Sequence, residues 1–91
     1  MKIEFDSTKD VTNCRKHGVS LALASELDWD AALVWVDERY DYDEMRMIAL
    51  APETNTLYYV AFIEHDDVYR IISLRCATRR EVQYYVKNIY R

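Results

Sequence analysis

Glycine is almost missing from this chain of 91 residues, and Gly18 is the only one. Phosphate-cradling loops, dinucleotide fingerprints and the Gly-x-Ser-x-Gly elbow each need several glycines or a fixed glycine pair; none of these motifs occurs, and a single glycine rules out most such loops. Pro52 is the only proline. There is no Pro- or Gly-rich linker, no low-complexity tract and no internal repeat, and the chain reads as one domain over 1–91. Cysteine is scarce too: Cys14 and Cys76 lie far apart and form no Cys-x-x-Cys pair. Both read as free thiols used as small buried residues. No apolar run approaches the ~18 residues of a membrane span. The opening Met1-Lys2-Ile3-Glu4-Phe5-Asp6 lacks the apolar stretch of a signal peptide, so a cytoplasmic location and no membrane partner are expected. Asp41, Asp43 and Glu44 cluster, but no histidine joins them at ligand spacing. They read as solvated turn residues, and no metal or other cofactor is expected.

Half of the residues are apolar, and eight Tyr, two Trp and two Phe argue for a packed fold. The net charge is −4, but it is unevenly spread: +1 over residues 1–25, −10 over 26–67 and +5 over 68–91. The basic C-terminal quarter is either plain solvated surface or a local positive field for phosphate.

Residues 7–17 read as a polar helix, capped by Asp6 or Ser7 and ended by Gly18. Ser20 opens a second helix over 21–28, with Leu23, Ala24 and Leu27 on one face. Strands are expected over 31–38, 44–51, 57–65 and 68–76, with a short first strand at 3–5 left open. Residues 39–43 form a turn, Pro52 to Thr56 a loop, and Asp66-Asp67 has the length of a two-residue hairpin turn. Thr78-x-x-Glu81 is a capping box, and Val82, Tyr85, Val86 and Ile89 follow at helical spacing, so a helix over 79–90 should pack on the sheet. The expected fold is α+β: two N-terminal helices, a four-stranded, mainly antiparallel sheet and a C-terminal helix, with the helices on one face.

Three stretches resemble the BrnT family of toxins from type II toxin–antitoxin pairs. They are Lys16-His17-Gly18-Val19-Ser20, with Phe5, Asp6, Lys9 and Asn13 before it; Glu44-Met45-Arg46-Met47-Ile48-Ala49-Leu50; and Arg70 to Thr78, followed by Arg79, Glu81 and Tyr84. The resemblance implies a RelE-like fold and a ribonuclease that stops translation. It also implies a ribbon-helix-helix antitoxin of the BrnA type, through which the complex would bind operator DNA. The chain departs from the family pattern at Ala51, usually Gly, at Cys76, often Lys or Arg, and at His65-Asp66, often Arg-Gly. Loss of basic groups there leaves an alternative open: a non-catalytic, degenerate toxin that only binds its antitoxin.

Metal-free RNA cleavage needs a base for the 2′-hydroxyl proton, cations for the phosphorane charge and an acid for the 5′ oxygen. Arginine suits the second task because its planar fork grips two phosphate oxygens. The catalytic candidates are Arg75, Arg46, His17 and Lys16, and the candidates for RNA binding are Arg79, Arg80, Tyr58, Tyr84 and Arg70. Through a two-residue turn at Asp66-Asp67, Ile63 would pair with Arg70 and Tyr58 with Arg75. Alternation would then put the two arginines on opposite faces, with Arg75 favoured for the phosphate and Tyr58 beside it to stack on a base. Each candidate has a structural alternative. His17 can serve the dipole of the helix it ends. Arg46 can pair with Glu44 or Glu64, Arg70 can hold a carboxylate, Glu81 can act as a cap, Tyr84 can be core edge, and Trp29 and Trp35 read as core.

Overall fold

The computed structural model describes residues 1–89. Strand β1 (Lys2–Glu4) is followed by helix α1 (Ser7–His17), two 3-10 segments (Leu21–Glu26 and Trp29–Ala31), strands β2 (Leu33–Val36), β3 (Met47–Glu53), β4 (Thr56–His65) and β5 (Val68–Cys76), and helix α2 (Arg79–Ile89). The strands form one sheet in the order β1-β5-β4-β3-β2. β1 runs parallel to β5 and every other pair is antiparallel. The sheet therefore has five strands and mixed directions, not the four expected. The extra strand is the three-residue segment left open at the N-terminus. The expected extension of the last helix to residue 90 lies outside the described residues.

The local signals act as their chemistry requires. The Asp6 carboxylate accepts from the Thr8 and Lys9 N–H groups, and Gly18 ends α1 in the left-handed region with φ 75°. The capping box forms in both directions: the Thr78 N–H donates to Glu81 at 2.8 Å and the Glu81 N–H donates to the Thr78 hydroxyl at 3.2 Å. Asp66 and Asp67 both adopt positive φ, 50° and 65°. That is the geometry a two-residue hairpin turn imposes despite the strain it places on non-glycine residues. Pro52 and Glu53 belong to β3, and the expected 52–56 loop shrinks to Thr54-Asn55, because Glu53 pairs with Thr56. Pro52 lies beyond the end of β2, whose pairing stops at Leu50, so its missing N–H costs no ladder bond on that side.

The second expected helix is a 3-10 segment. Leu21, Ala24 and Leu27 are the buried positions, a spacing of three that matches three residues per turn. The segment is fixed at its start by Asp10, whose carboxylate accepts from the Leu21 N–H and the Ser20 hydroxyl. These residues pack on Ala49, Ala51, Val60, Phe62, Ile71 and Leu74. Trp29 closes that layer edge-on to Phe62 and Tyr69, with centroids at 5.3 and 5.0 Å. Trp35 instead is 36% exposed and meets Tyr84 of α2. Cys14 and Cys76 are both free and exposed, contrary to their reading as buried residues.

Strand β5 carries one extra residue. Ala61 pairs with Ser73 and Phe62 with Ile71, so Ile72 has no partner of its own. Without this bulge, Ile71 and Leu74 would face opposite ways; with it, both enter the core. Beyond β1, the open edge of β5 is covered by α1. Asn13, nearly buried, donates to the Leu74 and Val19 carbonyls at 2.9 Å each and accepts from the Leu74 N–H at 3.1 Å. One side chain thus stands in for a missing strand.

Helical elements lie on both faces of the sheet, not on one. α2 has no buried residue, and Val82 and Val86, expected to pack, are exposed. The helix is held by the Tyr85 hydroxyl donating to the Ala31 carbonyl at 2.6 Å and by Tyr84 against Trp35.

Asn13→Ala removes a donor and an acceptor from two buried backbone groups and should cost about 2–4 kcal/mol in urea unfolding. A loss below about 0.5 kcal/mol, the level of ordinary surface substitutions, would contradict the edge-covering role.

Candidate RNA-binding face

The bulge decides where the arginines go. Ile63 pairs with Arg70, as expected, but Arg75 pairs with Tyr59 and not Tyr58, which pairs with Cys76. Tyr58 packs against the core layer. Arg70 and Arg75 therefore share one face with Tyr59, Ala61 and Ile63, and their expected separation onto opposite faces is wrong. An uninterrupted alternation was assumed across a strand that contains an extra residue.

On this face the 37–46 loop folds back across the sheet. Lys9, Arg46 and Arg70 line one groove of about 350 Å³ with Ile63, Ile72 and the loop acids Asp41, Asp43 and Glu44. A smaller recess of about 210 Å³ adjoins it through Lys9 and Ile72 and is lined by Lys16, His17, Thr12, Asn13 and Ser73. Towards α2, the Arg75 guanidinium sits 3.9 Å from the centre of the Tyr59 ring. Arg80 and Tyr84 line a more apolar hollow with Trp35, Leu50 and Glu81. Arg79 is exposed in the first turn of α2. The face thus gathers Arg46, Arg70, Arg75, Lys16 and His17, with Arg80 and Tyr84 at its margin, and leaves out Tyr58.

The cations are not bare. Arg75 makes a bidentate pair with Glu81, at 2.8 and 2.9 Å. Arg70 reaches Glu44 at 3.0 Å across a half-exposed pair, which contributes little energy. Arg46 has no carboxylate partner among the described residues and lies 4.3 Å from the Tyr42 ring centre. Glu81 is therefore more than a cap: it holds the main arginine candidate. Its hydrogen bond with Arg75, aided by the Thr78 N–H, lowers the Glu81 carboxyl from its ordinary value. The same bond raises the Arg75 guanidinium, which stays charged. His17 is shifted down, first by burial and then by the Lys16 and Arg75 charges. Its neutral form is favoured, as a general base needs.

The family model for the ribonuclease toxin BrnT of type II toxin–antitoxin systems matches residues 5–81. The chain belongs to that family. No curated protein matches it. The BrnT match runs from the residue before the Asp6 cap to Glu81, so it takes in the whole cationic face. A type II toxin works against an antitoxin partner, and no helix among the described residues is long and apolar enough to cross a membrane. Among the described residues no three His, Cys, Asp or Glu side chains converge as a metal-ligand set.

Sequence reasoning missed Tyr59, Asp37 and Arg39. Asp37 is buried although it follows an exposed strand end, and the Asp37-x-Arg39 spacing was the one available signal. The segment 39–43 had been read as a plain turn.

Asp37 and Glu81 are both lowered in the folded protein, Asp37 chiefly through its hydrogen bond with Arg39. Each therefore adds stability above its unfolded value, about 3.9 for Asp and 4.3 for Glu, and that stability is lost as pH falls towards the folded value. Urea midpoints of the parent protein should drop steeply below about pH 4, and Asp37→Asn should flatten the drop. Parallel curves for the two proteins would place the acid sensitivity elsewhere.

Proposed function

We propose that this BrnT toxin is a metal-independent endoribonuclease that cleaves RNA and stops translation. The carrying observation is the convergence of Arg46, Arg70 and Arg75 with Lys16 and His17 on one sheet face. In the reaction, neutral His17 takes the proton from a 2′-hydroxyl, whose oxygen attacks the adjacent phosphorus. The P–O5′ bond breaks, leaving a 2′,3′-cyclic phosphate on one product, while the departing 5′ oxygen takes a proton from solvent water and becomes the 5′-hydroxyl of the other. Arg75 and Arg46 hold the phosphorane charge and Lys16 supports it from α1. Arg70, Arg79 and Arg80 grip flanking phosphates, and Tyr84 offers a ring to a base. Tyr59, not Tyr58, is the tyrosine beside Arg75. The phosphate displaces Glu81 and Glu44 from their arginines when it enters.

The partner in this reading is a BrnA-like ribbon-helix-helix antitoxin, through which operator DNA is bound. Val34 and Val36 on β2, whose only partner among the described strands is β3, and Val82 and Val86 on α2 are exposed apolar surface for it. A second reading is favoured by the carboxylates on Arg70 and Arg75: a degenerate toxin whose cations are internally neutralised and which only binds its antitoxin.

Expression without an antitoxin should arrest growth and yield cut transcripts, and Arg75→Ala should relieve the arrest while remaining folded. Normal growth with abundant folded parent protein would favour the second reading. With purified protein, kcat/KM for RNA cleavage should rise with pH through a midpoint below the ordinary histidine value of about 6.5. His17→Gln should remove that limb; a limb that persists in this variant assigns the base to another group.

A further inference from the structure

Beside α2 the sheet face opens into the apolar hollow of about 350 Å³ lined by Trp35, Leu50, Arg80, Glu81 and Tyr84. Leu50 is fully buried there, whereas the rings of Trp35 and Tyr84 are 36% and 50% exposed. The two rings stand edge to face, with centroids 5.9 Å apart and planes at 71°. Rings set at such an angle leave a corner, in which a third flat ring can lie along one face and meet the edge of the other.

The two tryptophans of the chain are used differently. Trp29 serves the core: its indole N–H donates to the Ala24 carbonyl at 2.8 Å, and its ring meets Phe62 and Tyr69. Trp35 stands on the outermost strand, and its N–H has no acceptor among the described residues. Arg80 is exposed and, unlike Arg70 and Arg75, has no carboxylate partner among the described residues. An apolar corner with a bare cation at its rim fits a ligand that carries a flat ring and an anion together, and a nucleotide is such a ligand.

The register places this corner beside the proposed reaction centre. Leu50 pairs with Tyr59 and Tyr59 with Arg75, so the three side chains form one row across the sheet. Two strand spacings, about 10 Å, separate the two ends of that row. Arg75 keeps its bond to Glu81 in this arrangement, because Arg80 supplies the cation for the hollow. Val34 and Val36, the neighbours of Trp35, pair with Ala49 and Met47 on the core side of the sheet. The hollow is therefore distinct from the apolar surface those valines offer.

We propose that the hollow is a nucleobase subsite, in which a base of single-stranded RNA stacks on the Trp35 indole against the edge of Tyr84 while Arg80 holds a phosphate of the same strand. The choice of RNA as ligand rests on the ribonuclease reading, whereas base binding itself does not require cleavage.

The test uses a short fluorescein-labelled single-stranded RNA in three forms. A fully 2′-O-methylated strand cannot be cut and reports binding by anisotropy. A 2′-O-methylated strand of abasic residues reports binding to the backbone alone. The unmodified strand reports kcat and KM. Trp35→Ala should weaken binding of the first strand on the order of tenfold, the usual loss for one stacked base, and should raise KM more than it lowers kcat. The same variant should weaken the abasic strand by less than about twofold, because the stacking partner is already gone. Arg80→Gln should reduce the slope of log Kd against log salt by about 0.7, the value for one phosphate contact on a single strand. An unlabelled 2′-O-methylated strand should quench the tryptophan emission of the parent. In Trp35→Phe that quench should vanish while binding stays within about threefold, since a phenyl ring still stacks. If Trp35→Ala does not fold, Trp35→Phe and the abasic strand carry the test. Parent-like binding by Trp35→Ala, an equal loss on the abasic strand, or a quench that persists in Trp35→Phe overturns the proposal. If the parent binds in a Trp35-dependent way but leaves the unmodified RNA intact, the subsite stands and the cleavage reading falls. If the parent cleaves RNA and Trp35→Ala alters neither KM nor binding, cleavage stands and the subsite falls. A parent that neither binds nor cuts the strands overturns both.

Discussion

The extra residue at Ile72 is the constraint on which the rest of the molecule depends. A strand has a period of two, so inserting one residue reverses every later side chain. Here the reversal lets Ile71 and Leu74 enter the same core and, in the same stroke, brings Arg70 and Arg75 to the other face. Core packing and the cationic face are therefore two results of one irregularity. The tie from Asn13 to both backbone groups of Leu74 lies two residues past it and holds the strand where its edge would be open. That tie also fixes α1, and hence Lys16 and His17, against β5.

The electrostatics of the face are those of a site at rest with its own carboxylates. Glu81 occupies the fork of Arg75, Glu44 touches Arg70 and Asp37 holds Arg39. The three pairs differ physically. The Glu44 pair is half-exposed and exchangeable, the Glu81 pair is tied to the capping box of α2, and the Asp37 pair is anchored by a buried acid. Under the proposed function, a phosphate would compete readily with the first, would compete with the second by loosening the start of α2, and would have no need to displace the third. The ranking follows from burial and hydrogen bonding, not from formal charge, which is the same in all three.

The acidic total of the chain fits this picture. The −10 over residues 26–67 resides partly in the loop that crosses the cationic face and partly in the turn at Asp66-Asp67. In the groove beside β5, Asp41, Asp43 and Glu44 stand against Lys9, Arg46 and Arg70, three acids to three cations.

Much of the architecture was written locally. The Asp6 and Thr78 caps, the Gly18 stop, the two-residue turn at Asp66-Asp67 and the bounds of β5 follow from short-range hydrogen bonding and backbone preference, which a sequence displays directly. Family membership was also legible, because it rests on residue types in order. What the tertiary structure alone decided was long-range. A bulge has no local signature when the residues around it, Ile71, Ile72 and Ser73, would each suit a regular strand, so the face of Arg75 and the choice of Tyr59 over Tyr58 awaited the pairing with β4. β1 needed β5 to exist, since three residues cannot hold a strand without a neighbour. The burial of Asp37 depended on a loop folding back over the sheet, a contact that no spacing along the chain encodes.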